Sequence, residues 1–241
     1  MNLLLLSLLF AGKKDDQIVE LQQQVADLQQ QLIQCQNDQL ACETRKPAPP
    51  DALEEAKAAE LYDKAMEHVE AWEGEQARVL IDQILSDYGK TRAAAKAMRV
   101  YQELAVVGQP APAIGPEVDF WFRGQGDYNP TGMTLVVFWE AWCPHCKREM
   151  PALDAWTAGL RAEGSLTVIG ITKVTKSSTD DTVNAFIEEQ GIGFPIAKDR
   201  GGLHEAYNVS GIPAAAVVQD GVIVWRGHPG RLDEAMLRSH L

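Results

Sequence analysis

The chain has 241 residues, of which 46% are hydrophobic and 23% are charged. This composition is typical of a globular protein that is long enough for one or two domains with their own cores. The 22 Lys and Arg residues against 34 Asp and Glu residues give a net charge of −12, which argues against nucleic acid or an anionic membrane surface as the main partner. The four cysteines are too few for a disulfide scaffold in a chain of this size.

Residues 1–12 form a short apolar segment with the length of a signal-peptide core but without basic residues before it. A lipoprotein signal would need a cysteine where Lys13 stands. We expect this segment to direct export to the periplasm or cell envelope and to be cleaved or to anchor the chain only weakly. A buried helix start is the alternative.

Residues 15–46 predict a coiled-coil helix, because apolar residues alternate at spacings of three and four. The seam contains Ile18, Leu21, Val25, Leu28, Leu32, Cys35 and Cys42. Such a narrow stripe cannot be buried by one helix alone, so the pattern predicts a homodimer. A solvated, Gln-rich linker helix is the alternative.

Cys35 and Cys42 both fall on this seam, seven residues apart. Along a helix that is about 10.5 Å, too far for a disulfide within one chain. In a parallel dimer each cysteine could meet its own copy, which gives the hypothesis of an intermolecular disulfide. Two small buried apolar residues explain the pattern equally well.

Residues 51–107 predict two or three helices, and the segment 47–50 before them (Pro-Ala-Pro-Pro) is a stiff break. The third helix runs from Thr91 to Leu104 and carries Met98 and Tyr101. The segment loosely resembles one tetratricopeptide unit, although a stable array needs several such repeats. A plain helical hairpin that acts as a spacer is the alternative.

The clearest chemical signal is the sequence Cys143-Pro144-His145-Cys146, which follows a continuous apolar run at 134–138. The run predicts a buried strand, and Cys143 then lies where a helix begins. The free N–H groups and the positive dipole end of that helix would stabilise a thiolate at Cys143. Cys146, one turn later, could then resolve a mixed disulfide. The rival interpretation, half of a zinc site, needs a second ligand pair that the spacing does not offer.

Residues 108–241 resemble the thioredoxin superfamily, and specifically the TlpA/ResA-like periplasmic thiol–disulfide oxidoreductases. The matching motifs occur in the expected order: 108–112 (Gly-Gln-Pro-Ala-Pro), 138–146 (Phe-Trp-x-x-Trp-Cys-x-x-Cys), 149–151 (Glu-Met-Pro), 211–213 (Gly-Ile-Pro), and the hairpin signal Asp220-Gly221. An α/β insertion between 166 and 197 also fits this group. The resemblance implies an α/β, thioredoxin-like fold with a mixed central sheet flanked by helices.

The resemblance also implies roles for individual residues. Pro213 would follow a cis peptide bond, and the backbone of Ile212 would pair with an extended substrate segment. Trp142 would shape the rim beside the cysteines. Glu149 would tune the cysteines and handle protons, with a solvated surface glutamate as the alternative.

The dipeptide Pro144-His145 resembles the one between the cysteines of DsbA, a strong oxidant. The motif that ends at Pro151 instead resembles the reductive TlpA/ResA group. These two signals disagree about the direction of electron flow. The larger pattern favours a reductase or isomerase, and a DsbA-like oxidase is the alternative.

Together these observations predict an exported bacterial thiol–disulfide oxidoreductase that acts on substrate proteins with thiols or disulfides. It would use the Cys143–Cys146 disulfide without a metal or organic cofactor and would need an unidentified redox partner protein. A peroxidase is less favoured, because Glu140 stands where such enzymes carry Thr or Ser. A non-catalytic coiled-coil assembly protein is a further alternative.

Overall fold

The computed structural model describes residues 22–34, 51–129 and 132–241. The chain divides into two compact units, 1–49 and 50–241. In the first unit residues 22–34 are helical, and Val25, Leu28 and Leu32 of the predicted seam are 53%, 63% and 60% exposed. The apolar segment 1–12 and both Cys35 and Cys42 lie outside the described residues. No helix within the described ranges combines the length and the apolar character needed to cross a bilayer.

Three helices open the second unit: α1 (Ala52–Glu70), α2 (Gly74–Asp87) and α3 (Arg92–Leu104). Asp51 and Thr91 cap α1 and α3, since each side chain accepts a hydrogen bond from the backbone N–H three residues on. Met98 and Tyr101 are on the exposed side of α3, at 46% and 44% exposure. The helix packs instead through its smaller residues, which include Ala93, Ala94, Ala97 and Val100.

An α/β region follows these helices. Its strands are β1 (Val118–Arg123), β2 (Met133–Trp139), β3 (Leu166–Thr172), β4 (Ile196–Asp199), β5 (Ala214–Gln219) and β6 (Val222–Gly227). Its helices are α4 (Pro144–Ala162), α5 (Asp180–Gln190), α6 (Gly202–Ala206) and α7 (Glu234–Ser239). Short 3₁₀ turns occupy Gly115–Glu117 and Pro229–Arg231.

The six strands form one mixed sheet in the order β1-β4-β3-β2-β5-β6. Strands β2, β3 and β4 are parallel, whereas β1, β5 and β6 are each antiparallel to their neighbours. Helices flank the sheet and bury its two faces in separate apolar clusters. The mixed α/β architecture predicted from the sequence is confirmed.

The central strand β2 sets the position of the candidate site. All seven of its residues are buried, as expected for a strand that is covered on both faces. One of the two apolar clusters contains Leu135, Val137 and Trp139 of this strand together with Cys143 and Cys146. The cysteine pair therefore lies at the carboxyl end of a strand that is fixed on both sides.

Candidate active site

Cys143 is the N-cap residue of α4. Its backbone N–H donates to the carbonyl of Glu140 (N···O 3.1 Å), and its sulfur accepts a hydrogen bond from the N–H of Cys146 (N···S 3.4 Å). Pro144 occupies the first helical position, where its missing N–H costs nothing. The sequence thus places one sulfur on the free N–H groups of a helix start, where negative charge is stabilised.

The two cysteines differ in their surroundings. Both are free thiols in the structure; Cys143 is 4% exposed and Cys146 is 0% exposed. Burial is the largest cause that raises the pKa of Cys146. Its interactions with Cys143 and the charge of Glu140 raise it further, while a backbone hydrogen bond with Glu140 opposes them. Cys146 is therefore held as a neutral thiol beneath Cys143.

The loop between α6 and β5 faces the reactive sulfur. The peptide bond between Ile212 and Pro213 is cis. The carbonyl oxygen of Ile212 lies 3.8 Å from Sγ of Cys143. A substrate segment that reaches Cys143 must therefore pass beside the backbone of this loop.

Trp142 forms a half-buried rim beside the cysteines. Its indole N–H donates to Oε2 of Glu140 (2.6 Å), and the Thr175 hydroxyl donates to the same carboxylate oxygen. The ammonium of Lys176 lies 3.2 Å from the centroid of the Trp142 ring, a cation–π contact. Glu140 is 8% exposed and joins the active-site loop to the loop after β3.

Glu149 and His145 lie on the same helix as Cys146, but their side chains have different neighbours. The Glu149 carboxylate is close to Gly230, since its Oε2 would lie 3.4 Å from a β-carbon added there. Burial lowers the pKa of His228, and the negative charge of Glu149 opposes that change. The guanidinium of Arg148 lies 2.8 Å from Nδ1 of His145. Because arginine can only donate, that ring nitrogen accepts the hydrogen bond.

Replacing Glu140 by Gln should lower the pKa of Cys146, because a negative charge near a thiol disfavours its thiolate. The pH dependence of Cys146 alkylation, measured with Cys143 replaced by Ser in every protein, reports this pKa. The matched variant is Glu149→Gln, which removes the carboxylate that the resemblance implicates. A change in the pKa of Cys146 in Glu149→Gln, with no change in Glu140→Gln, would contradict the assignment of this effect to Glu140.

Sequence reasoning also missed residues on α3 and on the 3₁₀ turn after β6. Lys96, Arg99, Glu103 and Arg231 line a cleft that reaches Ile212 and Pro213. They come from segments far from the cysteines along the chain. No local motif marks them, and only the folded arrangement brings them to the site.

Residues 125–226 match the AhpC/TSA family model. Thiol-disulfide oxidoreductase ResA of Halalkalibacterium halodurans is 27% identical over 108 residues, which cover 44% of this chain and 59% of that protein. Sporulation thiol-disulfide oxidoreductase A of Bacillus subtilis is 27% identical over 93 residues, which cover 38% of this chain and 56% of that protein. The chain thus spans less than two thirds of the length of these curated relatives.

Among solved structures, StoA from Bacillus subtilis is 25% identical, with a TM-score of 0.42 over 53% of this chain and 98% of that chain. The family match covers β2 with its cysteine pair, the cis-proline loop and most of β6. Over residues 125–226, which include the cysteine pair and the cis-proline loop, the chain is therefore similar to the AhpC/TSA family.

Proposed function

We propose that this protein is a thiol–disulfide oxidoreductase that exchanges disulfides with partner proteins through Cys143 and Cys146. The observation that carries the proposal is the position of the Cys143 sulfur. It accepts the N–H of Cys146 at the start of α4 and faces the Ile212 carbonyl at 3.8 Å. One sulfur is thus prepared as a nucleophile and lies beside a backbone that can hold a substrate.

In the reductive direction the Cys143 thiolate attacks one sulfur of a substrate disulfide. The substrate S–S bond breaks, a mixed disulfide forms, and the released substrate thiolate takes up a proton. Cys146 then loses its proton and attacks Sγ of Cys143. The second substrate thiol leaves, and the Cys143–Cys146 disulfide remains. Two electrons have passed from the protein to the substrate, and the oxidative direction is the reverse.

The raised pKa of Cys146 suits this order of events. A buried neutral thiol does not compete for the incoming substrate, because the thiolate is the nucleophile. It becomes the attacking group only after the mixed disulfide has formed next to it. Glu140 and Glu149 are the carboxylates near the pair that could receive its proton, and the alkylation experiment above separates their effects.

We favour a reductase or isomerase over an oxidase. The DsbA-like expectation depends on His145 beside the thiolate, whereas Nδ1 of His145 accepts a hydrogen bond from the guanidinium of Arg148 (2.8 Å). A redox partner protein would then return Cys143 and Cys146 to the dithiol form, with no metal or organic cofactor.

The proposal places the protein in the periplasm or cell envelope. Disulfides form and persist mainly outside the reducing cytosol, which supports this location for a protein that exchanges them. The exposed apolar side chains of Val25, Leu28 and Leu32 support a partner helix, and hence a homodimer. A disulfide between copies through Cys35 or Cys42 is part of the same proposal.

The test is a trapping experiment with Cys146→Ser. This variant can attack but cannot resolve, so it should accumulate mixed disulfides with substrate proteins that non-reducing electrophoresis resolves. Cys143→Ser is the matched control and should trap nothing. Failure of Cys146→Ser to form a mixed disulfide with any protein or peptide disulfide would overturn the proposal and favour a non-catalytic role.

A further inference from the structure

A cleft of about 790 Å³ lies between α3 and the cis-proline loop. One wall carries residues 210–214, and the other carries side chains of the helical segment, including Tyr62, Lys96 and Arg99. The volume lies within the roughly 300–1,000 Å³ of ligand-binding clefts. The helices that precede the thioredoxin-like domain therefore form part of the surface that borders its active site.

The cleft reaches Ile212, which lies beside the reactive sulfur. Ile212 lines it, and the carbonyl of the same residue lies 3.8 Å from Sγ of Cys143. A peptide bound along the cleft would therefore bring a neighbouring cysteine to Cys143. A compact small molecule has no need of this extended surface, whereas a polypeptide flanking a disulfide does.

The helical wall is fixed to the domain rather than loosely tethered. Trp72, between α1 and α2, stacks on His240 with ring centroids 4.0 Å apart and packs against the main core cluster. The side-chain amide of Asn208 donates to the carbonyl of Gln102 in α3 (2.6 Å). These contacts, one between α1 and α2 and one on α3, thus hold α3 in place opposite the cis-proline loop.

The charge of the cleft is opposite to that of the whole chain. Its lining includes four cationic side chains, Lys96, Arg99, Arg226 and Arg231, and one carboxylate, Glu103. The entire protein carries a net charge of −12. Nη1 of Arg231 is buried and has no hydrogen-bond partner among the described residues. A positive cleft on an acidic protein attracts negative groups selectively, because the remaining surface repels them.

The cationic groups differ in how freely they can meet a ligand. Arg226 is buried and bound to the backbone, since its guanidinium donates to the carbonyls of Tyr207 and Gly227 (both 3.1 Å). Lys96 and Arg99 are exposed on α3. Arg226 therefore supplies a fixed positive charge at the base, and the two α3 side chains can pair directly with carboxylates.

We infer that the helical segment is a specificity element, and that the cleft binds an extended, acidic stretch next to the reactive cysteine of a substrate protein. The inference rests on the proposed function and adds the class of substrate. It assigns Lys96, Arg99 and Arg231 to the recognition of carboxylates. The helices would then act in substrate selection and not as a spacer.

The experiment compares the rates at which the reduced protein reduces two peptide disulfides of equal length, one with Asp and Glu around the cysteine and one with Lys. We expect the acidic peptide to react about ten-fold faster at low ionic strength, with a preference that falls as salt is added. The charge reversal K96E/R99E should shift the ratio of the two rates at least about ten-fold toward the basic peptide.

The matched control is K57E/K90E, which changes the net charge equally at two exposed lysines of the helical segment that do not line the cleft. Thermal unfolding checks that both double variants remain folded. An equal rate ratio in K96E/R99E and in the control would overturn the inference. So would the absence of any preference for the acidic peptide in the unaltered protein.

Two further measurements separate this inference from the proposed function. Reduction of a small uncharged disulfide by the unaltered protein reports the cysteine chemistry alone. Fluorescence anisotropy of the same peptides with serine in place of cysteine reports binding without chemistry. If no disulfide is reduced, the proposed function fails, but the binding measurement still tests the inference. Tighter binding of the acidic peptide that is lost in K96E/R99E would support the inference. Equal binding of the two peptides would overturn it.

Discussion

Replacing Cys143 by Ser is expected to lower the rate constant for reduction of a peptide disulfide by about 10³-fold or more, the scale seen when an enzyme loses its nucleophile. A serine hydroxyl cannot form the mixed disulfide that begins the exchange. The effect should be nearly complete because of how the neighbouring cysteine is held. Cys146 has 0% exposure and a raised pKa, so it cannot replace Cys143 as the attacking group.

The measurement is a single-turnover experiment with fully reduced protein and a fluorescent peptide disulfide. Cys146→Ser is the matched variant, and it should retain the first attack while losing the release of the second thiol. Equal loss of the first step in both variants would contradict the division of roles between the two cysteines. A residual fast phase in Cys143→Ser would show that Cys146 can reach substrate.

The elements that could be predicted from the sequence are those with local signals. The hairpin between β5 and β6 is one case: Asp220 and Gly221 have φ values of 51° and 75°, which suit the two-residue turn that this dipeptide favours. The Cys143 helix start is another, because the apolar run before it and the proline after it lie within a few residues. In both cases neighbouring residues determine the backbone directly.

Strand β1 shows what a local pattern does not reveal. Its six residues have no regular alternation of buried and exposed positions, and Phe120 is 38% exposed. The strand forms because it pairs antiparallel with β4, and that pairing contains two irregularities in register. An edge strand of this kind depends on a distant partner, so its own sequence lacks the period that predicts a strand.

The candidate site divides in the same way. The cysteines were found from their spacing, but the partners of Glu140 include Thr175, which lies in a separate loop. The walls of the cleft come from α3 and from the loop that carries Ile212. Long-range packing creates both features. The cysteine pair could be predicted from the sequence, whereas the cleft beside it is found only in the fold.

Replacing Asp199 by Ala is expected to lower the free energy of unfolding by about 3–5 kcal/mol, because it leaves several buried donors without their acceptor at about 1–3 kcal/mol each. Its side chain is fully buried at the end of β4. One oxygen accepts the N–H of Gly201 (2.8 Å), and the other accepts the N–H and Nδ1 of His204 (3.0 and 2.5 Å). His204 in turn packs edge-on against Phe138 of the central strand β2. Removing the Asp199 carboxylate would therefore also weaken the packing against the central sheet.

Urea unfolding of Asp199→Ala measures this loss. Asp233→Ala removes an exposed N-cap, whose carboxylate accepts the N–H of Met236, and should cost only about 1 kcal/mol. The comparison separates the loss of a helix cap from the loss of a buried network. Equal losses of unfolding free energy in the two variants would contradict the role of the buried Asp199 network in stability.

The same carboxylate should make stability depend on acid. Burial alone would raise the pKa of Asp199, but the hydrogen bonds from His204 and from the backbone of Gly201 outweigh it and lower the pKa to about 2 from 3.8. Between pH 4 and 2 the unfolded chain then binds a proton that the folded protein does not. The stabilisation, on the order of 2 kcal/mol, is therefore complete above about pH 4 and is lost as the pH falls toward 2.

Asp199→Asn isolates this pH-dependent contribution, because the amide keeps the shape and one acceptor oxygen but does not titrate. The difference in unfolding free energy between the unaltered protein and Asp199→Asn should shrink as the pH falls from 4 to 2. Titrating groups that do not contact Asp199 contribute equally to the two proteins, so they cancel in the difference. A difference that stays constant over this range would mean that Asp199 does not carry the charge that holds β4 to α6.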